Sequence, residues 1–510
     1  MTDADEQPAG SAPAADVLHS GEAGGRVVRG GAIRVAGFGV GVVFGLATSA
    51  LLLRHLGVAE YGKYGTVAAL LGIVLALSDG GLTAIGAREL STTPAGPART
   101  RMASTLMLLR LVTTTAGVAI AVAFAAIAYG SAQLTLGAAL VGASVILISL
   151  QAMATIPLLI TLRIVPMTGF EVLRHVLTFV GILALVLAEA GLEAFFALQV
   201  PIAALLLLLT VVYVRRTLPI GLRASGSAVR RLARETLPLA VASTMIVLYG
   251  GAMVIIVSLV ASDYQTGLFV TSARVMEVVV GLPALVIALA LPVLSVASTT
   301  DHERLRNALQ LMVELGLVLA ALVAVTLALA ADGVIAVIGG SAFAEAAPIL
   351  QVQAFAIVGV FLSQTLQNAL VSLRQQQTLI TTNAVALAAV IGLGVVLVSR
   401  LGAIGGAWAI LAAEALLCLL LLVTLLRRAP QVLPTFRFAW KVAACLAVAG
   451  AVALVPLGSS WLSAFLGALA FAVLAGLLRA VPAEAIVALA SPIWGEERVR
   501  GGLRRYYGAA

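Results

Sequence analysis

The sequence predicts an all-α polytopic membrane protein of about fourteen transmembrane helices, built as two six-helix lobes plus a C-terminal helix pair. Three observations carry this expectation. Of 510 residues, 61% are hydrophobic and only 11% are charged, whereas a water-covered surface needs about a quarter charged residues. Mean hydropathy is +1.11. About 300 apolar residues, at ~20 per bilayer crossing, are enough for about fourteen crossings. Disordered, collagen-like and disulfide-framework classes are excluded by the same numbers.

The chain opens with a polar, acidic stretch lacking the apolar run of a signal peptide, so residues 1–25 are expected to be a disordered cytoplasmic tail. Apolar runs bounded by Arg, Gly or Pro then fall at 31–53, 64–85, 104–128, 136–160, 168–188 and 194–214. These six make an N-lobe over 26–214. The longest hydrophilic connection, 215–236, carries six arginines and is expected to be a basic cytoplasmic linker. Its second half, with Val229 and Leu232 beside Arg230, Arg231 and Arg234, reads either as an amphipathic helix on the inner leaflet or as a solvated stretch of linker. Further runs at 237–260, 266–297, 309–331, 347–371, 378–399 and 403–426 make a C-lobe over 237–426. Runs at 438–456 and 461–479 form a helix pair within 427–480, and 481–510 is a basic cytoplasmic tail. Cys418 and Cys445 both fall inside apolar runs, which implies no disulfide.

Orientation follows from the basic residues. With the N-terminus in the cytoplasm, 24 of the 31 Lys and Arg fall in inner loops and tails and three in outer loops; four lie within spans. That asymmetry sets both termini inside a cell membrane. It also accounts for the net charge of +8 without nucleic acid as a partner.

The halves carry a repeat. Leu56-Gly-Val-Ala-Glu-Tyr61 follows the first span and Leu259-Val-Ala-Ser-Asp-Tyr264 follows the seventh, an L-x-x-[AS]-[ED]-Y pattern at an offset of 203. Its recurrence at equivalent helix junctions points to duplication, as in transporters whose two repeats rock around a midplane site.

Ionisable groups in hydrocarbon are costly and mark candidate sites. Arg34 shares a face with Gly37, Gly41 and Gly45, a small-residue stripe that packs against protein; it points into the interior or snorkels to the inner headgroups. Arg274 lies eight residues into the eighth span, ~12 Å from its start, too deep to reach an interface. Glu277, one turn on, either joins it in a site or neutralises it as a simple pair. Arg110 shares a side with Thr113, Thr114 and Gly117 and reads as a polar wall or a snorkelling arginine. Glu171, Arg174 and His175 form one cluster that satisfies itself. Asp79 and Glu414 stand alone as carboxylates; each is a candidate for ion coupling or a hydrogen bond to a neighbouring helix. Gln364, Gln367 and Asn368 form a stripe suited to sugar hydroxyls or to interhelical bonding.

Several chemistries are missing. Gly57–Lys63 matches G-x-x-x-x-G-K, but Tyr64 replaces Ser/Thr and the segment joins two spans, so no phosphate-binding loop is expected. The four histidines are scattered, which suggests no metal site. Outer loops are too short for the external site of a membrane glycosyltransferase or polymerase. No catalytic residue and no cofactor are expected.

The stretch Leu53-Arg-His-Leu-Gly-Val-Ala-Glu-Tyr-Gly-Lys-Tyr64, followed by Ser78-Asp-Gly-Gly-Leu-Thr-Ala-Ile-Gly-Ala-Arg-Glu-Leu90, carries a resemblance to a known family. Asp263–Gly267, the ALPVLS run at 290–295 and residues 368–415 add to it. The chain resembles the Wzx-type polysaccharide-biosynthesis flippases of the MOP (MATE-like) exporter superfamily over roughly 26–430. The resemblance implies two six-helix lobes around a central cationic cavity that binds pyrophosphate. The implied activity is movement of a polyprenyl-(pyro)phosphate-linked oligosaccharide from the inner to the outer leaflet by alternating access. Implied partners are that lipid-linked glycan, membrane lipids and polysaccharide polymerases or glycosyltransferases. In the related lipid II flippases, arginines of the first and eighth helices line the cavity, and Arg34 and Arg274 sit at matching places. The last two helices would offer a groove for the lipid tail. No acid of the Na⁺-site kind is evident in helices 7 and 11, which leaves membrane potential or a proton as the drive. The rivals are a small-molecule or drug antiporter of the same superfamily, a membrane glycosyltransferase or polymerase, and a non-transporting scaffold.

Overall fold

The computed structural model describes residues 21–94, 96–161, 163–215, 226–300, 302–373, 375–455 and 458–480. The expectations for 1–20, for 216–225 of the linker and for the tail at 481–510 lie outside the described residues. The helices are α1 (Gly21–Asp79), α2 (Leu82–Thr92), α3 (Pro97–Tyr129), α4 (Ala132–Ile160), α5 (Ile164–Leu187), α6 (Leu192–Arg215), α7 (Gly226–Val260), α8 (Asp263–Thr300), α9 (His302–Ile338), α10 (Ala346–Ser372), α11 (Gln376–Leu401), α12 (Ala403–Arg428), α13 (Ala439–Ala451) and α14 (Ser460–Leu477). No strand occurs among the described residues. Ten helical stretches there are long and apolar enough to cross a membrane, with shorter apolar helices at Val247–Val260 and Ala439–Ala451.

The apolar runs read from the sequence fall on these helices, the first two sharing α1. At 59 residues, α1 would span about 88 Å if straight, nearly three times a hydrocarbon core. Gly57 divides it, with φ 73° and ψ 177°, a conformation reserved for glycine. The expected loop at 54–63 is thus helix on both sides of one residue. Gly80 and Gly81, both at positive φ, then turn the chain into α2.

The first six spans pack mainly through α1 with α4 and α5, α3 with α4, and α4 with α6. The next six pack through α7 with α11, α8 and α9 with α10, and α12 with α10 and α11. These two groups meet where α1 runs against α7 and α8. α13 and α14 pack on one another and on α9.

The second half of the 215–236 connection is helical and continuous with the seventh span. Leu232 is fully buried, in an apolar cluster with Leu82, Ile85 and Leu90 of α2 and Leu106 of α3, while Arg231 donates to Glu89 at 2.9 Å. Its apolar side is covered by protein, which differs from both a leaflet-bound helix and a free linker.

Candidate functional site

A cavity of about 550 Å³ lies between the two groups of spans. Its walls come from α1 on both sides of Gly57, from Thr178 of α5, and from α7 and α8. Small residues leave room for it: Gly65, Ala68, Gly72, Gly250 and Gly251 are in the lining.

Arg274 and Glu277 are the charged residues in that lining. Arg274 donates through Nε to the Ser49 hydroxyl at 3.0 Å and through Nη1 to Glu277 at 2.5 Å. Ser49 donates in turn to the Gly45 carbonyl at 2.8 Å. This places Nη2 over Gly45, where an added methyl would sit 3.4 Å away. The guanidinium is therefore aimed from two edges. Its acidic partner is 67% exposed to the cavity, so that ion pair is open to exchange.

The glycine stripe of α1 faces protein along its length. A methyl at Gly41 would meet His175 Nε2 of α5 at 2.9 Å, and one at Gly37 would collide with Thr168. Arg34 itself is exposed, eleven residues and ~16 Å along the helix from Gly45. It is not among the residues lining the cavity.

The other expected site residues sit elsewhere. Arg110 is 2% exposed and pairs with Asp79 at 3.0 Å, and Asp79 also accepts from Thr83 at 2.5 Å. The two groups that looked unrelated in sequence neutralise each other between α3 and the end of α1. Gln367 accepts from Asn383 of α11 at 3.3 Å, and Asn368 donates to the Gln364 carbonyl at 2.8 Å; none of the three lines the cavity. Glu414 is 5% exposed and accepts from Tyr249 at 2.9 Å and from Ser363 at 3.2 Å. Arg174 donates to Gln151 of α4 at 2.8 Å rather than closing a cluster within α5.

Sequence reasoning passed over Tyr61 and Tyr64. Both line the cavity and stack at 6.2 Å, continued by Tyr64 on Phe196 at 5.7 Å. Tyr61 meets Phe343 edge-on at 6.3 Å. Just beside them the halves touch at backbone level: Gly62 lies against the Asp263 carbonyl, and Gly267 against that of Val58. Each repeated hexapeptide therefore packs against the glycine just beyond the other. On the other side of the cavity, Phe38 approaches Gly281 and Gly80 approaches Ala240. Lys63, the end of the phosphate-loop look-alike, pairs with Glu60 at 2.7 Å.

Among solved structures, the fold is similar to that of the lipid II flippase MurJ in an inward closed conformation, with TM-score 0.72, 13% identity, and 87% of this chain and 98% of that one covered. It is also similar to an inward-facing multidrug resistance MATE transporter of the MOP superfamily, with TM-score 0.61, 13% identity, and coverage of 77% and 95%. A MOP superfamily transporter from Pyrococcus furiosus matches with TM-score 0.53, 15% identity, and coverage of 80% and 96%. No curated protein matches the chain in sequence. A model of the polysaccharide biosynthesis protein family matches residues 51–348, from the hinge of α1 to the start of α10. With that match covering more than half of the sequence, the chain belongs to the polysaccharide biosynthesis protein family, and its fold is similar to those of the lipid II flippase MurJ and the MATE transporter.

Proposed function

We propose that the protein flips a polyprenyl-(pyro)phosphate-linked glycan from the inner to the outer leaflet of the cell membrane by alternating access. The observation that carries this reading is Arg274: a guanidinium at the wall of the inter-lobe cavity, oriented by Ser49 and held by an exposed, exchangeable Glu277. Pyrophosphate oxygens present the same acceptor geometry as the Glu277 carboxylate at higher charge, and arginine binds such groups with fork-like, charge-assisted bonds. Substrate binding would displace Glu277 and leave the Ser49 bond in place. Arg34 lies along the same face of α1, nearer the end expected to be cytoplasmic, as a first contact for the incoming headgroup. The basic asymmetry of the loops makes the Gly62–Gly267 end external.

Of the two acids considered for coupling, Asp79 already has a cationic partner. Glu414 has hydroxyl donors and is the proposed proton carrier. A drug-antiporter reading has one observation in its favour: Glu277, 67% exposed in the cavity, could receive a cation.

The test is mass spectrometry of polyprenyl-linked intermediates in cells depleted of the protein and complemented with variants. Accumulation of one complete lipid-linked oligosaccharide, relieved by the wild type and not by Arg274→Gln, is expected. An unchanged lipid profile, together with drug efflux that disappears in Glu277→Gln, would replace the flippase with the antiporter.

A further inference from the structure

We infer that a second cavity, between α9, α10, α13 and α14, binds a neutral, hydroxyl-rich sugar. It measures about 800 Å³, and its lining includes Asp332, Gln351, Phe355 and Ser463. The elements around it differ from those around Arg274, and the two cavities share no lining residue.

Asp332 is six residues from the end of α9 at Ile338, ~9 Å along its axis. An ionisable group at that depth is costly unless it faces water or a ligand. Asp332 is exposed and Gln351 partly exposed, and neither has a hydrogen-bond or ion-pair partner among the described residues. They offer an acceptor-only carboxylate and an amide that both donates and accepts. With the Ser460 hydroxyl and the Ser463 oxygen, which still accepts while its proton goes to the Ser459 carbonyl, that set matches adjacent sugar hydroxyls. Phe355 in the lining is 40% exposed, so an aromatic face is available for the apolar side of a pyranose, and Trp461, next to the lining residue Ser460, is 53% exposed at the edge. The spacing is set by Gly333, where an added methyl would come within 2.6 Å of Ser460 Oγ and 2.7 Å of Trp461 Nε1.

The lining contains no Lys or Arg, which argues against phosphate. A lipid tail would strand the carboxylate and amide without partners. The cavity lies toward the end of the molecule where Arg54 donates to the Val337 carbonyl at 2.8 Å, the same end as the Gly62–Gly267 contact. The choice of a glycan as ligand rests on the flippase reading above, and that end is where its sugar would emerge.

Binding is measured without transport, so the two readings fail separately. The full chain in nanodiscs, with Trp408, Trp440 and Trp494 replaced by Phe, leaves Trp461 as the only indole. It is titrated with maltose, cellobiose and chitobiose. A saturable change in Trp461 emission is expected with at least one of them. That response should weaken about tenfold in Asp332→Ala and in Gln351→Ala, and persist in Arg274→Gln. Asp332→Asn, which keeps the shape, should also weaken it. The proposal is overturned by no saturable change across the three sugars, or by binding in Asp332→Ala and Asp332→Asn equal to that of the unsubstituted chain. Competition by glycerophosphocholine would equally overturn it, assigning the cavity to a lipid headgroup.

Discussion

Arg274 holds three relations at once: Nε to Ser49, Nη1 to Glu277 and Nη2 over Gly45. A lysine has one compact ammonium and cannot reproduce that fork. Arg274→Lys is therefore expected to keep a fraction of glycan export and Arg274→Gln to lose about 10- to 100-fold, as ~1.5–3 kcal/mol per charged hydrogen bond implies; lipid-linked precursor levels report both. A purely structural Arg274 would instead show the same loss in thermal stability as in export. The Asp79–Arg110 pair calls for the opposite signature. Asp79→Ala leaves a guanidinium 2% exposed without its carboxylate, with only a long bond to the Leu75 carbonyl, at a cost of about 3–5 kcal/mol. Reduced thermal stability of the purified protein should reveal this, with recovery in Asp79→Leu/Arg110→Met. If Asp79→Ala stays stable and loses only ion coupling, the pair is functional instead. Sequence reading found Arg274 with its neighbour Glu277, and found Asp79 and Arg110 without pairing them, because those two are 31 positions apart and only helix packing brings them together. The partner of Glu414 was hidden in the same way, since Tyr249 is 165 positions away.

Helix identity was legible from composition, because a bilayer demands long apolar runs with internally bonded backbones. What hydropathy could not reveal is the hinge. The residues of L-G-x-x-x-Y-G-x-Y each have a place in the fold: Gly57 bends α1, Tyr61 and Tyr64 line the cavity, and Gly62 admits the Asp263 backbone. The motif was visible, but its side chains' directions depend on a single φ of 73° that only the structure supplies. Gly57→Ala is expected to destabilise the protein by about 1–3 kcal/mol although no atom lies within 4 Å of the added methyl; a thermal midpoint equal to wild type would mean that the bend survives another way. The start of α7 is the second element that sequence left open. Its Val229 and Leu232 fit a leaflet as well as a protein surface, and what covers them, the α2 and α3 residues around Leu82, is more than a hundred positions upstream. Leu232→Asp should increase proteolysis near the 215–236 connection while leaving membrane insertion unchanged.

At the scale of the whole molecule, alternating access needs the two lobes to part on one side while they meet on the other. Here they touch on both sides of the central cavity, but the contacts differ in kind. At the Gly62–Gly267 end, backbone meets backbone, and any side chain would have to displace a carbonyl. At the other end, the Phe38 ring approaches Gly281 and the Ala240 methyl approaches Gly80, contacts between side chains and glycine that tolerate sliding more readily. A wedge at the first end should therefore hold it open, while a similar wedge at the second should be partly absorbed. Gly267→Leu in a chain carrying Ala68→Cys, with Cys418 and Cys445 replaced by Ala, tests this. Ala68 lines the cavity and is exposed to it. A membrane-impermeant maleimide added outside intact cells should label the thiol introduced at position 68 several-fold faster with the wedge than without it. Export should fall at the same time, because a transporter fixed open to one side cannot return. If labelling rises only when the reagent is admitted to the cytoplasm, the Gly62–Gly267 end is internal and the topology is inverted. If labelling is unchanged from either side while export continues, the lobes do not gate at these glycines and substrate must pass by another route.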